Sequence, residues 1–134
     1  MKIERYINDV GEFRCFAIEK SSVSRHGVVA VLSNLPGVSF TLLPRFWHEA
    51  VFCEFIYRGH KFCVEEPYGD NTTFDVIAPE PDLPELRELA RLFERSEPIK
   101  GGDLGHTMFR FLIWLVRAAL IAAIISFTIS WLST

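Results

Sequence analysis

The strongest local structure signal in the chain lies in residues 51–66, which read VFCEFIYRGHKFCVEE. A two-residue turn at Arg58-Gly59 would join two alternating apolar runs into an antiparallel hairpin. The register set by this turn pairs Tyr57 with His60, Phe55 with Phe62 and Cys53 with Val64. One face of the hairpin is then apolar, with Val51 on it, and the other is mixed, with Phe52 on it. Cys53 and Cys63 are predicted to point to opposite faces, so they cannot form a disulfide.

The flanking segments predict the rest of a small domain. Residues 13–20 and 38–42 have strand patterns and enclose an apolar run with helical spacing over residues 22–35. After the hairpin, residues 74–78 favour a strand, and a helix follows from Pro84 with Asp82 as its predicted N-cap. Residues 3–7 are a candidate for a further strand. The chain therefore predicts an α+β fold, in which a small antiparallel sheet carries two helices on one face.

A single C-terminal transmembrane helix is predicted after this domain. Residues 111–132, FLIWLVRAALIAAIISFTISWL, contain one charged residue, Arg117. At about 1.5 Å per residue they span about 33 Å, enough to cross a hydrocarbon core of about 30 Å. Twelve of them are Leu, Ile, Val or Phe and favour insertion by about −5 kcal/mol in total, whereas one central Arg costs roughly +3 kcal/mol. Insertion is therefore favoured.

The chain is accordingly divided into residues 1–96 as the domain, 97–107 as a flexible linker rich in Gly, and 108–132 as the membrane helix. Basic residues lie on the domain side of the span, which places the domain in the cytoplasm by the positive-inside rule. The expected topology is a tail anchor in a bacterial inner membrane or a comparable membrane. Predicted anchors at the membrane interfaces are Arg110, Trp114, Arg117 and Trp131.

One face of the predicted membrane helix is made of small residues, which allow close packing of helices in lipid. Its members recur every four residues: Ala118, Ala122, Ser126 and Ser130. The arginines of the span lie on a different face, where we expect them to meet lipid headgroups. Self-association into a homodimer, or packing on another membrane helix, is the corresponding functional hypothesis.

Composition limits the classes of function that remain. Hydrophobic residues make up 49% of the 134 residues and the net charge is −3, so the chain is neither disordered nor strongly basic. Nucleic-acid binding is not expected, because no basic stripe with interleaved aromatic residues is present. The three Cys and four His lack the close spacings of a zinc motif, and neither a nucleophile elbow nor a phosphate-binding loop occurs. We therefore expect no metal, no cofactor and no enzymatic activity.

Two loops of the domain have the composition of a protein-binding surface. Arg45, Phe46 and Trp47 combine residue types that are enriched in interface hot spots, and Tyr68 and Asp70 lie in a turn-forming acidic segment. The leading hypothesis is a non-catalytic anchored protein of regulatory or immunity type. An accessory subunit of a membrane complex is the first alternative, and a cysteine-dependent enzyme is the second. The identity of the protein partner is not predicted.

Overall fold

The computed structural model describes residues 1–45, 50–69, 72–100 and 103–133; within 103–110 it describes the backbone and the side chain of Met108. The chain forms two compact units, Met1–Gly101 and Gly102–Thr134. The elements of the first unit are β1 (Ile3–Ile7), β2 (Phe13–Glu19), α1 (Arg25–Ser33), β3 (Ser39–Leu42), β4 (Val51–Tyr57), β5 (His60–Glu65), β6 (Thr73–Ile77) and α2 (Pro84–Arg95). The second unit is the helix α3 (Asp103–Leu132).

The six strands form one antiparallel sheet in the order β1-β2-β6-β5-β4-β3. This confirms the predicted α+β fold, and the candidate strand at residues 3–7 is present as the edge strand β1. Because β6 lies between β2 and β5, the N-terminal hairpin and the central hairpin are joined through a strand that comes late in the chain.

The register of the central hairpin is as predicted, with Tyr57 opposite His60 and Phe55 opposite Phe62. Arg58 and Gly59 both have positive φ angles, of 48° and 78°, which is the conformation of a type I′ turn. The prediction that Val51 lies on the apolar face and Phe52 on the mixed face is wrong. A bulge between Val51 and Cys53 inserts one residue at the start of β4 and exchanges the two faces there. Phe52 is consequently buried with 2% of its surface exposed, and Val51 pairs with Glu65 on the mixed face.

The inner face of the sheet and the two helices of the domain enclose the core. Phe16 on β2 packs against Phe93 of α2, with ring centroids 5.9 Å apart. Phe55 and Phe62 stack across the central hairpin at 5.4 Å. Both helices contribute their apolar stripes to this one cluster, which includes Val28, Val31, Leu32, Leu86, Leu89 and Ala90. Burial of these stripes stabilises α1 and α2, because short helices are marginal on their own.

The outer face of the sheet is mixed, and α1 and α2 both pack on the other face. Cys15, Ile77 and Cys63 lie side by side on three neighbouring strands. Asp75 and Glu65 form an adjacent pair in the next row. The neighbouring carboxylates of Glu65 and Glu66 therefore do not share one surface, because Glu66 turns away from this face and forms an ion pair with Arg25.

The two helices of the domain begin in different ways. Ser24 is the N-cap of α1, and its hydroxyl accepts a hydrogen bond from Gly27 N at 3.0 Å. The prediction that Asp82 caps α2 is wrong, because Leu83 is the N-cap and makes no side-chain cap bond. Asp82 instead accepts a hydrogen bond from Phe13 N at 3.1 Å, so it fastens the start of β2.

The segment after α2 returns to the start of α1. Ile99 forms a parallel β-bridge with Val23, and its carbonyl accepts a hydrogen bond from Ser24 N at 3.0 Å. This contact lies within residues 97–107, which the sequence predicts as a flexible linker. The helix α3 also begins inside that range, at Asp103.

Gly27→Ala is expected to destabilise the domain. Alanine in a helix usually stabilises a protein relative to glycine by up to about 1 kcal/mol. Here a Cβ atom would lie 2.8 Å from both the Ile99 carbonyl oxygen and the Val23 Cγ2 atom. We expect the overpacking to outweigh the helix preference and to lower the free energy of unfolding by about 1–3 kcal/mol.

Urea unfolding of the detergent-solubilised full chain measures this effect, with pulse labelling of the Cys53 thiol, which is fully buried in the folded domain, as the probe. Ala30→Gly at the exposed side of the same helix is the control and should lower stability by no more than about 1 kcal/mol. A Gly27→Ala protein more stable than the wild type would contradict the bridge between Ile99 and Val23.

Candidate protein-binding surface

One end of the sheet is flanked by residues that enter or leave five of its strands, and we call these residues the loop end: 20–24, 43–45, 50, 66–69 and 72. Val51 and Glu65 are paired at the last position of β4 and β5. Just beyond them, Glu66 N donates to the Ala50 carbonyl at 2.8 Å. Lys20 N donates to the Thr72 carbonyl at 2.9 Å, which fixes the turn after β2 to the same end. The two loops with predicted binding residues therefore leave the sheet side by side.

The predicted binding residues in the described part of the chain are exposed. Tyr68 has 107% of its reference surface accessible, so its ring extends from the turn into solvent. Arg45 is also exposed, and Leu43 next to it is 50% exposed. Phe46, Trp47 and Asp70 lie outside the described residues.

A charged cluster lies beneath the loops and was not predicted from the sequence. The Glu66 carboxylate accepts hydrogen bonds from Arg25, with Nε at 2.7 Å and Nη2 at 2.6 Å. Its second oxygen lies 3.0 Å from Lys20 Nζ. Arg25 is largely buried, at 9% exposure. The only sequence signal is an arginine at the start of an apolar helix, and its partner is 41 residues away.

Two aromatic rings extend this cluster into the core. Phe52 and Phe74 meet edge to face at 5.0 Å between centroids. The Arg25 guanidinium lies 5.0 Å from the Phe52 centroid, and Lys20 Nζ lies 5.1 Å from that of Phe74. Both distances are within the range of cation–π contacts. The bulge that buries Phe52 thus also holds the charged cluster in place. We call this packed group of Phe52, Phe74, Arg25, Lys20 and Glu66 the base of the loop end.

Glu66→Gln is expected to destabilise the domain in a pH-dependent manner. Burial by itself raises the pKa of Glu66, but the hydrogen bonds from Arg25 and Lys20 outweigh burial and hold the pKa below its ordinary value of 4.5. Removing the charge leaves Arg25 without its carboxylate, so we expect a loss of about 1–3 kcal/mol in the free energy of unfolding at neutral pH. Since the pKa is lower in the folded state, this contribution is complete above pH 4.5 and is lost as the pH falls through the folded pKa.

Urea unfolding of wild type and variant across this pH range tests the prediction. Glu65→Gln is the matched control, because this neighbouring carboxylate lies on the opposite face of the sheet. Equal stabilities of the wild-type and Glu66→Gln proteins at neutral pH would show that the cluster does not hold the loop end.

A groove with a volume of about 530 Å³ opens beside the loop end. Ala17 is in its wall, and the side chains of Lys2, Tyr6, Glu19 and Thr73 surround it. Lys2 and Glu19 form an ion pair at 2.8 Å across it. The groove is lined by side chains of both charge signs and by one aromatic ring.

The cysteines are protonated thiols at neutral pH. Burial is the main cause that raises the pKa of Cys15 and of Cys53 to about 12, and it also raises the pKa of Cys63. A thiolate nucleophile requires a shift in the opposite direction. Among the described residues no group of three or more His, Cys, Asp or Glu side chains is arranged to hold a metal ion.

The helix α3 contains one stretch, Phe111–Leu132, that is long and apolar enough to cross a membrane, with the predicted bounds. The small residues Ala118, Ala122, Ser126 and Ser130 are exposed along it, as are Trp114, Arg117 and Trp131. Trp114 stacks on Phe111 with centroids 6.3 Å apart. The side chain of Arg110 lies outside the described part.

Fold and surface together define a small α+β domain joined to a candidate membrane helix. Comparison of the chain with protein-family models, curated proteins and solved structures found no match. Its function is therefore argued from its own residues.

Proposed function

We propose that the chain is a single-pass membrane protein whose α+β domain binds a protein partner through the loop end and catalyses no reaction. The observation that carries this proposal is the placement of Arg45 and Tyr68 on adjacent connections over a packed base. Tyr and Arg are frequent hot-spot residues. A packed base beneath the loops reduces the backbone entropy that is lost when a partner binds, which favours affinity.

The apolar stretch of α3, Phe111–Leu132, supports the anchoring role. It is exposed along its whole length, and such a surface in water would drive aggregation unless lipid or another helix covered it. Lys100, Arg110 and Arg117 lie on the domain side of the helix centre. The positive-inside rule then orients the domain to the cytoplasm.

A binding role of regulatory or immunity type agrees with the state of the cysteines. Their raised pKa values keep them as thiols, so they serve as small apolar residues of the sheet rather than as nucleophiles.

Site-specific photo-crosslinking in native membranes tests the binding surface. A photoreactive phenylalanine analogue replaces Tyr68 at the loop end, and the same analogue replaces Val10 in the control. Val10 is 78% exposed in the turn between β1 and β2, at the opposite end of the sheet. We expect a discrete adduct from position 68 that weakens when Arg45 is changed to Glu. Adducts of equal yield from both positions, or none from position 68, would refute the loop end as the binding surface.

A second candidate role is packing in the membrane, as a homodimer or as an accessory subunit. The observation in its favour is the exposed small-residue face of α3 that includes Ala118, Ala122 and Ser126. Ala122→Leu should abolish self-association in detergent, as measured by sedimentation, whereas Ile121→Leu on another face should not. An oligomer that survives Ala122→Leu would exclude this face.

A further inference from the structure

Arg117 is the one charged residue of the apolar stretch of α3. It follows Phe111 by six residues of continuous helix, so its Cα atom lies about 9 Å further along the axis. Its side chain is exposed. Asp103, the first residue of α3, is 14 residues or about 21 Å from Arg117 along the helix axis. The sequence from Leu104 to Thr134 contains no Asp or Glu, so no carboxylate of the helix compensates this charge. In a bilayer the guanidinium must find an anion outside its own helix or extend to the interface.

Trp114 lies on the same side of the helix, because three residues of an α-helix separate side chains by about 60°. Its indole is 63% exposed and rests on the ring of Phe111. Tryptophan is enriched at the level of the lipid headgroups. The face therefore presents an aromatic ring with a hydrogen-bond donor and, one turn further into the membrane, a guanidinium.

The small-residue face points away from this pair. Ser126 is nine residues after Arg117, which places it about 180° around the helix. Ile113, Ile121 and Ile124 surround Arg117 instead and are all exposed. Bulky branched side chains keep a second helix at a distance, so a carboxylate on a partner helix is less able to reach Arg117 than a mobile lipid is.

We propose that Trp114 and Arg117 form a binding site for the phosphate group of an anionic phospholipid, in the leaflet next to the domain. A guanidinium binds phosphate through two parallel hydrogen bonds, and these are strong in apolar surroundings. The indole N–H of Trp114 is a further donor at the headgroup level. The site rests on the proposed membrane insertion of α3. It gives the anchor a preference for anionic lipids, because the phosphate of a zwitterionic lipid is compensated by that lipid's own ammonium group.

Native mass spectrometry of the full chain in bilayers of mixed phosphatidylcholine and phosphatidylglycerol tests this site. We expect phosphatidylglycerol to be enriched among the lipids retained by the wild-type protein. Arg117→Gln should reduce this enrichment about fivefold, the factor associated with one basic residue near an anionic surface. Arg117→Lys should preserve part of it, since the charge remains without the planar fork. Arg95→Gln, at an exposed position of the domain, is the control and should leave the enrichment unchanged.

The outcomes separate this site from the anchor itself. Vesicle flotation before the lipid measurement shows whether the chain inserts, and Arg117→Gln should insert at least as well as the wild type because it removes a charge from the span. A chain that fails to float refutes membrane anchoring. Two results would refute only the lipid site. In one, the wild-type chain floats but retains both lipids equally; in the other, Arg117→Gln retains the same enrichment of phosphatidylglycerol as the wild type. A crosslink from position 117 to a carboxylate of another protein also overturns it.

Discussion

Replacing Ile121 and Ile125 with arginine is expected to release the protein from the membrane. Both residues lie near the centre of the apolar stretch Phe111–Leu132. Each isoleucine favours insertion by roughly −0.3 to −0.6 kcal/mol and each arginine opposes it by roughly 2.5–3.5 kcal/mol, so the pair shifts the balance by about 6–8 kcal/mol. That exceeds the total of about −5 kcal/mol supplied by the apolar residues of the span.

Flotation of the full chain with lipid vesicles measures the effect, and the fraction of protein that floats should fall from nearly all to nearly none. Ile121→Leu with Ile125→Leu is the matched control and should float as the wild type does. Pulse labelling of Cys53 verifies that the domain stays folded in all three proteins, since its thiol is buried in the domain core. Flotation of the arginine variant at the wild-type level would show that the stretch binds vesicles without spanning them.

Phe16→Ala is expected to lower the free energy of unfolding of the domain by about 3–5 kcal/mol, the usual effect of truncating a fully buried phenylalanine. Phe16 is 0% exposed and joins β2 to α2 through its contact with Phe93. A domain of this size has a total stability of about 5–14 kcal/mol, so the loss is a large fraction of the total.

The free energy of unfolding from urea titration, again followed at Cys53, provides the measurement. Ile7→Ala is the control, because Ile7 on the edge strand is 63% exposed and its truncation should cost no more than about 0.5 kcal/mol. Similar losses in the two variants would contradict the placement of the core between the inner face of the sheet and α2.

The sequence determines those parts of this structure in which the controlling interactions are local. The hairpin register follows from Arg58-Gly59, because a two-residue turn leaves one way to align the two strands. The bounds of the apolar stretch Phe111–Leu132 follow from composition alone, because no partner outside the segment is needed to satisfy a helical backbone. The sequence also predicts a candidate strand at residues 3–7, which is the edge strand β1.

The features that the sequence did not predict depend on residues that are far apart in the chain. The sequence pattern does not predict the bulge at Phe52, because apolar residues occur on both faces of this part of the hairpin. The bulge allows Phe52 to pack on Phe74, which is distant in the sequence. The cluster of Glu66 with Arg25 and Lys20 joins the end of β5 to the start of α1 and to the end of β2. Asp82 is a residue type that often caps helices, but its carboxylate accepts a hydrogen bond from the backbone N–H of Phe13 instead.

The loop end combines a feature that the sequence predicts with one that it does not. The residue types of Arg45 and Tyr68 predict binding residues, and Arg45 precedes β4 while Tyr68 follows its neighbour β5. The base beneath them could not be derived from composition, because it requires the pairing of Glu66 with Ala50 and of Lys20 with Thr72.

The most direct test of this account is extraction of the wild-type full chain from native membranes with alkaline carbonate. Carbonate releases proteins held by surface charge or by a protein partner, whereas a helix inserted across the hydrocarbon core stays with the lipid. We predict that the chain remains in the membrane pellet and is released only by detergent. Recovery of the chain in the carbonate supernatant would contradict the claim that Phe111–Leu132 anchors the domain to a membrane.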